Sequence, residues 1–163
     1  MILPKILDTH TGVHENKVRE LFHDKQFHFD GDAPEFETPL ILLGFFNRSG
    51  SNLLGNHLRD LPDFSGFKEE LNHPAIKSII KRNNLNSFPD YFRSAQNEYP
   101  RDHCYGYKAS WNQVLMLNRC GIDRMYKGVK LIHITRGDLI GQAISLVIAM
   151  QTLKWTSEQT GKD

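Results

Sequence analysis

Residues 39–61, PLILLGFFNRSGSNLLGNHLRDL, decide how the chain is read. LILLGF, bounded by Pro39, is a short continuous apolar run of the kind that forms a strand covered on both faces. Leu54, Leu58 and Leu61 then recur at i, i+4 and i+7, the spacing of one helical face. Between them lies a tight turn, NRSGSN. At the start of a helix several backbone N–H groups lack partners and the helix dipole is positive, which favours a bound anion. Gly50 permits close backbone approach, Ser49, Ser51 and Asn52 add donors, and Arg48 adds a permanent planar charge. Taken in isolation, the same turn also reads as a simple Ser/Gly connection between strand and helix.

This turn is not a Walker loop. GxxxxGK[ST] requires glycines one residue closer than Gly44 and Gly50, and Ser51 stands where the lysine belongs. Without that lysine and a hydroxyl for magnesium, nucleotide triphosphate hydrolysis is poorly supported.

Further along, VKLIHIT reads as a second strand and runs through RGD into LIGQAISLVIAMQTLKW, where Ile140, Ile144, Val147 and Ile148 keep helical spacing. CYGYKAS is a weaker strand, followed by a helix WNQVLMLNRCG closed at Gly121. HPAIKSIIKR and FPDYFRSAQNEY read as two helices. Repeated strand, turn and helix predict βα units on a parallel sheet, with ligands beyond the carboxyl ends of the strands. NRSGSN and TRGD therefore belong on one sheet edge. There Arg136 can turn toward a second anion, with Ser145 on the next helix, or it can simply pair with Asp138.

The fold class expected is α/β, a P-loop-like three-layer α/β/α arrangement around a central parallel sheet. Residues 1–37 read as a polar, loosely packed extension with one short helix in HENKVRELFHD, 38–156 as the binding domain, and 157–163 as a polar tail.

The bulk numbers restrict function. A chain of 163 residues suits one domain with a real core. Hydrophobic residues at 39% and charged residues at 24% exclude a wholly disordered protein. A net charge of +1 sets up no global field for nucleic acid or an anionic membrane, so any anion site is local. Cys104 and Cys120 form no CxxC or metal spacing, which suits a reduced, cytoplasmic setting. The histidines carry no HExxH motif, and no metal is expected. The N-terminus meets Pro4 and Asp8 before any long apolar region, so no signal peptide is expected, and no apolar run approaches a membrane span.

Four segments carry a resemblance. LILLGFFNRSGSNLL resembles the 5′-phosphosulfate loop of sulfotransferases that use 3′-phosphoadenosine-5′-phosphosulfate (PAPS). RGDLIGQAISLVIAMQTLKW resembles the 3′-phosphate motif of the trehalose 2-sulfotransferase-like family, with Gln142, Ala143, Ser145, Ala149, Gln151, Thr152 and Trp155 in that order. GYKASWNQ and GFKEELNHP are similar to two further segments of that family. The likeness covers residues 38–156. It departs at Asn52, Lys68, Leu71 and Asn72, where the family carries a hydroxyl residue, a proline and an aromatic pair.

The resemblance implies the sulfotransferase fold, with its C-terminal part missing from this chain. It implies that Arg48, Ser49, Gly50, Ser51 and Asn52 hold the 5′-phosphosulfate, and that Arg136 and Ser145 hold the 3′-phosphate. Glu70 lands on the family's general base, with Glu69 as its neighbour and substitute. Ser110 stands where many other sulfotransferases place a histidine base, which again points to glutamate. Arg48 and Lys108 would stabilise charge on the transferring group, and Glu69, Trp111, Gln151 and Trp155 are the acceptor-side candidates. Buried helix anchors are the commoner role for Trp111 and Trp155 at such spacing, and His133 reads as a core or sheet-edge residue. The implied function is sulfuryl transfer from PAPS to a carbohydrate hydroxyl. The alternatives are a non-catalytic or truncated binding module of the same fold and, after it, a P-loop kinase. The implied partner is a small carbohydrate, with no nucleic acid and no membrane span; a homodimer is left open.

Overall fold

In chain order the elements are α1 (Val13–Arg19), α2 (Asp24–Phe27), β1 (Leu40–Phe45), α3 (Ser51–Arg59), β2 (Phe64–Lys68), α4 (His73–Asn83), α5 (Phe88–Asn97), β3 (Cys104–Ala109), α6 (Trp111–Arg119), β4 (Val129–Ile134) and α7 (Leu139–Thr152). A 3₁₀ turn at Ile122–Met125 separates α6 from β4. They come from a computed structural model that describes residues 11–22, 24–100 and 102–155, the side chains of residues 24 and 25 excepted. The expected tail, 157–163, lies outside the described residues.

The four strands form one sheet in the order β2-β3-β1-β4, and every pairing is parallel. Strand β1 shows why its sequence is continuously apolar. Side chains alternate across a strand, so Leu40 and Leu42 enter one core while Ile41 and Leu43 enter another on the opposite face. The larger core takes Ile76 from α4, Phe88 and Phe92 from α5, and Met116 and Leu117 from α6. The smaller one receives Leu54 and Leu58 of α3. The chain is thus α/β, with helices packed against both faces of a parallel sheet.

Local signals set the helix ends. Ser87 caps α5 by accepting from Asp90 N–H at 3.1 Å, and Pro89 sits in its first turn. The Gln113 side chain accepts from Ser110 N–H at 2.8 Å at the start of α6, and the helix gives way to Gly121 in the left-handed region.

Two readings change. Strand β2 has no counterpart among the expected elements. It is five residues long, carries Gly66 and Phe67 at positive φ, and shifts register against β3 between Gly66 and Lys68. No clean period-two pattern survives such a bulge. The N-terminal segment is not loosely packed where it is described: Val18, Phe22, Phe27 and Phe29 are buried in the larger core. The helix expected in HENKVRELFHD forms as α1, ending at Arg19, and the short α2 follows it. Strand β4 is an edge strand with Leu131 and His133 exposed, His133 meeting the Trp111 ring edge-on at 5.2 Å.

Helix α3 leads from β1 to β2 over one face, and α6 leads from β3 to β4 over the other. The crossovers diverge at β1, and parallel sheets hold their ligands beyond the strand ends at such a point. Among the described residues, no helix is long and apolar enough to cross a membrane.

Candidate functional site

Phe45 and Ile134 pair across the end of the β1–β4 ladder, so the loop after β1 and the loop after β4 leave the sheet side by side. In the first loop Ser49 N–H donates to the Phe46 carbonyl at 3.2 Å. Arg48 has φ of 64° and Gly50 has φ of 91°, both left-handed. For a residue other than glycine this conformation costs about 1–3 kcal/mol and tends to persist at functional sites. A side chain at Gly50 would meet nothing within 4 Å, so glycine serves there for its φ alone.

Helix α3 begins at Ser51 with no capping side chain and no acidic residue in its first turn. Its first N–H groups thus point, with the positive end of the dipole, at the loop. Ser49 Oγ is buried and has no hydrogen-bond partner among the described residues, and Ser51 is buried beside it. A phosphate oxygen accepting from Ser49 Oγ and the helix N-terminus would satisfy both. The loop therefore fits an anionic group.

Arg48 does not point outward. Its Nε donates to Ser145 Oγ at 2.7 Å and its Nη1 to the Trp155 carbonyl at 2.6 Å. The Gln142 side chain donates to the Asn47 carbonyl at 2.7 Å. Helix α7 is thereby bound to the loop by polar contacts on this side. Arg136 Nη1 lies 3.5 Å from the Arg48 carbonyl, and its Nη2 lies 3.4 Å from Asp138 Oδ2. Both arginines and Ser145 thus share one cluster, although Ser145 meets Arg48 rather than Arg136.

The opposite wall of the loop is built by Lys108. It extends from β3, is only 3% exposed, and runs past the Phe45 ring at 4.9 Å. Its Nζ donates to Asn52 Oδ1 and, at 2.6 Å, to Glu69 Oε1. Gly55 makes room for this path: a Cβ there would meet the Phe67 carbonyl at 3.0 Å and Lys108 Cδ at 3.6 Å. A buried ammonium needs a partner, and Glu69, exposed on its far side, supplies it. A cation thus reaches the loop from a neighbouring strand rather than from within the loop itself.

Glu70 faces a different group. Tyr105 Oη donates to Glu70 Oε2 at 2.7 Å, and Tyr91 Oη donates to the Glu70 carbonyl at 2.7 Å. Burial, reinforced by the nearby Glu70 charge, pushes both phenols well above their ordinary range, so they remain donors. Of the two glutamates, Glu69 is the one joined to the loop through Lys108 and Asn52.

Trp111 opens α6 and packs half-buried against His133 at the same sheet edge. Gln151 is exposed on α7, on the stripe shared with Ile144 and Val147, and is not brought to the loop. Three contributors have no sequence signal of their own: Gly55, Tyr105 and Asn72. Asn72 donates to Glu69 Oε2 at 3.2 Å and accepts from Gln113 at 3.1 Å, so it fixes the turn that carries both glutamates. Among the described residues, no group of three His, Cys, Asp or Glu side chains is placed to hold a metal ion.

Comparison with protein-family models, with curated proteins and with solved structures returns no match to this chain.

Proposed function

We propose that this chain binds PAPS along the β1–β4 edge and transfers its sulfuryl group to a carbohydrate hydroxyl. The observation that carries the reading is the pairing of two cationic loops, around Arg48 and Arg136, beyond adjacent parallel strands, with an unsatisfied buried Ser49 hydroxyl and no Walker lysine. A donor with phosphate groups at both its 5′ and 3′ ends suits two such loops better than a triphosphate does.

In this reading Ser49, Ser51, Asn52 and the first N–H groups of α3 hold the 5′-phosphosulfate, and Arg136 with the Arg48–Ser145 pair holds the 3′-phosphate. The acceptor oxygen attacks sulfur in line. The bond from sulfur to the bridging 5′-phosphate oxygen breaks, giving a sulfate ester and adenosine 3′,5′-bisphosphate. Lys108 balances charge on the leaving phosphate, and the acceptor proton passes to a carboxylate. Glu69 is the proposed base because it lies in the loop cluster; Glu70, which the resemblance favours, is its competitor. Trp111 and Trp155 remain acceptor-side candidates.

A second reading, nucleotide binding without turnover, draws on the Lys108–Glu69 ion pair, which occupies both groups at once. Calorimetric titration with adenosine 3′,5′-bisphosphate, against ATP and AMP, tests the site. Binding of the bisphosphate alone, abolished in Arg48→Ala and Arg136→Ala, is the expected result. ATP binding as tight as the bisphosphate would defeat the reading. Sulfate transfer from PAPS across a panel of sugars then separates the enzyme from the binding module.

A further inference from the structure

Helix α7 turns its least polar side outward. Ile140, Ile144, Val147 and Ile148 recur at i, i+4, i+7 and i+8 and are 76%, 56%, 52% and 52% exposed. The other side carries Ser145, bound to Arg48, and the buried Ala149. From Leu139 to Leu153 no charged residue interrupts the helix. Monomeric proteins rarely expose a contiguous apolar patch above a few hundred Å². The four side chains of the stripe are each more than half exposed, and Leu139, Met150 and Leu153 add further exposed apolar surface beside it.

The stripe is also its own complement. We propose that two copies of this chain pair through α7, the helices antiparallel about a two-fold axis beside residue 146. In that register Ile144 of one copy meets Ile148 of the second, and Ile140 meets the second copy's far end near Thr152. The charges at the ends agree with this orientation. Asp138 stands at the N-terminus of α7 and Lys154 just past its C-terminus, so antiparallel pairing sets each against its opposite at both ends. Parallel pairing would set like against like. Antiparallel helix dipoles add in the same sense. Asp138 also accepts from Gly141 N–H at 2.8 Å and lies 3.4 Å from Arg136, so its contact with the second copy would add to an existing cluster.

The pairing makes no demand on the ligand proposed above, and its test is separate. Light scattering during gel filtration should give twice the 18.8 kDa chain mass. Ile144→Lys and Ile148→Glu should each yield monomers. Mixing the two variants should restore dimers, because the introduced lysine of one chain then faces the introduced glutamate of the other. A monomeric unmodified chain overturns the proposal. So does a dimer that survives both substitutions, or a mixture no more associated than its components. If either charged variant loses helical circular dichroism, the paired Ile144→Ala and Ile148→Ala variant, which keeps helix propensity, takes its place. A dissociation constant raised by about tenfold or more supports the pairing, and an unchanged one overturns it.

Discussion

Arg48 Nε donates to Ser145 Oγ at 2.7 Å across ninety-seven positions of sequence. One guanidinium therefore joins the loop after the central strand to the helix after the edge strand, and it does so from a left-handed backbone. A strained residue keeps its conformation only where its surroundings over-determine it. Here the surroundings are Ser145 and the Trp155 carbonyl. Ser145→Ala removes an acceptor from a charged donor, a loss of about 1.5–3 kcal/mol. Affinity for adenosine 3′,5′-bisphosphate should fall by about tenfold or more in calorimetry, with the fold intact. Ser145→Thr, which keeps the hydroxyl, should retain most of it. Equal affinity in the alanine variant would sever the pair from the site.

The two glutamates separate by their partners. Glu69 meets Lys108 beside Asn52, whereas Glu70 accepts from Tyr105. If Glu69 takes the acceptor proton, Glu69→Gln should lower kcat by about 100-fold or more while leaving bisphosphate affinity near that of the native chain. Glu70→Gln keeps an acceptor for Tyr105 and should cost far less. Steady-state rates with PAPS decide it, and the reverse ranking would assign the base to Glu70.

Much of this arrangement was legible in the residues because it depends on strong local patterns. The apolar run 40–45, the helical leucines after it and the paired strand-end loops gave the parallel sheet and the shared edge. Strand β2 was not legible, because a bulge at Gly66 and Phe67 erases the period that marks a strand. The aromatic residues of the N-terminal segment sit among polar neighbours, and only tertiary packing shows that Phe22, Phe27 and Phe29 complete the core. At the site, residue types pointed to Arg48 and Ser49, and the resemblance to Lys108. The rerouting of Arg48 to Ser145, and the different partners of Glu69 and Glu70, depend on side-chain directions set by β3 and α7. No linear pattern encodes those directions.

The N-terminal segment is anchored by a charge. Glu15 of α1 is 1% exposed and accepts from Arg19 at 3.1 Å and from Arg119 Nε of α6 at 2.9 Å. Replacing one member of a buried ion cluster leaves charge without compensation, at about 3–5 kcal/mol. Glu15→Gln should therefore lower stability by about 3 kcal/mol, read as a shift of the urea midpoint at unchanged slope. A midpoint shift equivalent to well under 1 kcal/mol would show that α1 packs on α6 through its apolar side alone.

His14, next to that anchor, makes stability depend on pH. Its Nε2 is buried with no partner among the described residues, and it lines a hollow with Lys17, Asn72 and His73. Burial lowers its pKa below the ordinary 6.5; a hydrogen bond at Leu71 and the Glu15 charge oppose this, and the nearby His73 and Lys17 reinforce it. The folded chain then holds a proton on His14 less readily than the unfolded chain does. Above the ordinary value both states carry a neutral ring, and His14 contributes nothing to the slope. As pH falls through 6.5 toward the lowered folded value, the unfolded state gains protons first and stability declines. Urea unfolding at a series of pH values across this window should show the decline, and His14→Gln should flatten it. A slope of the same size in that variant would move the pH dependence to another group.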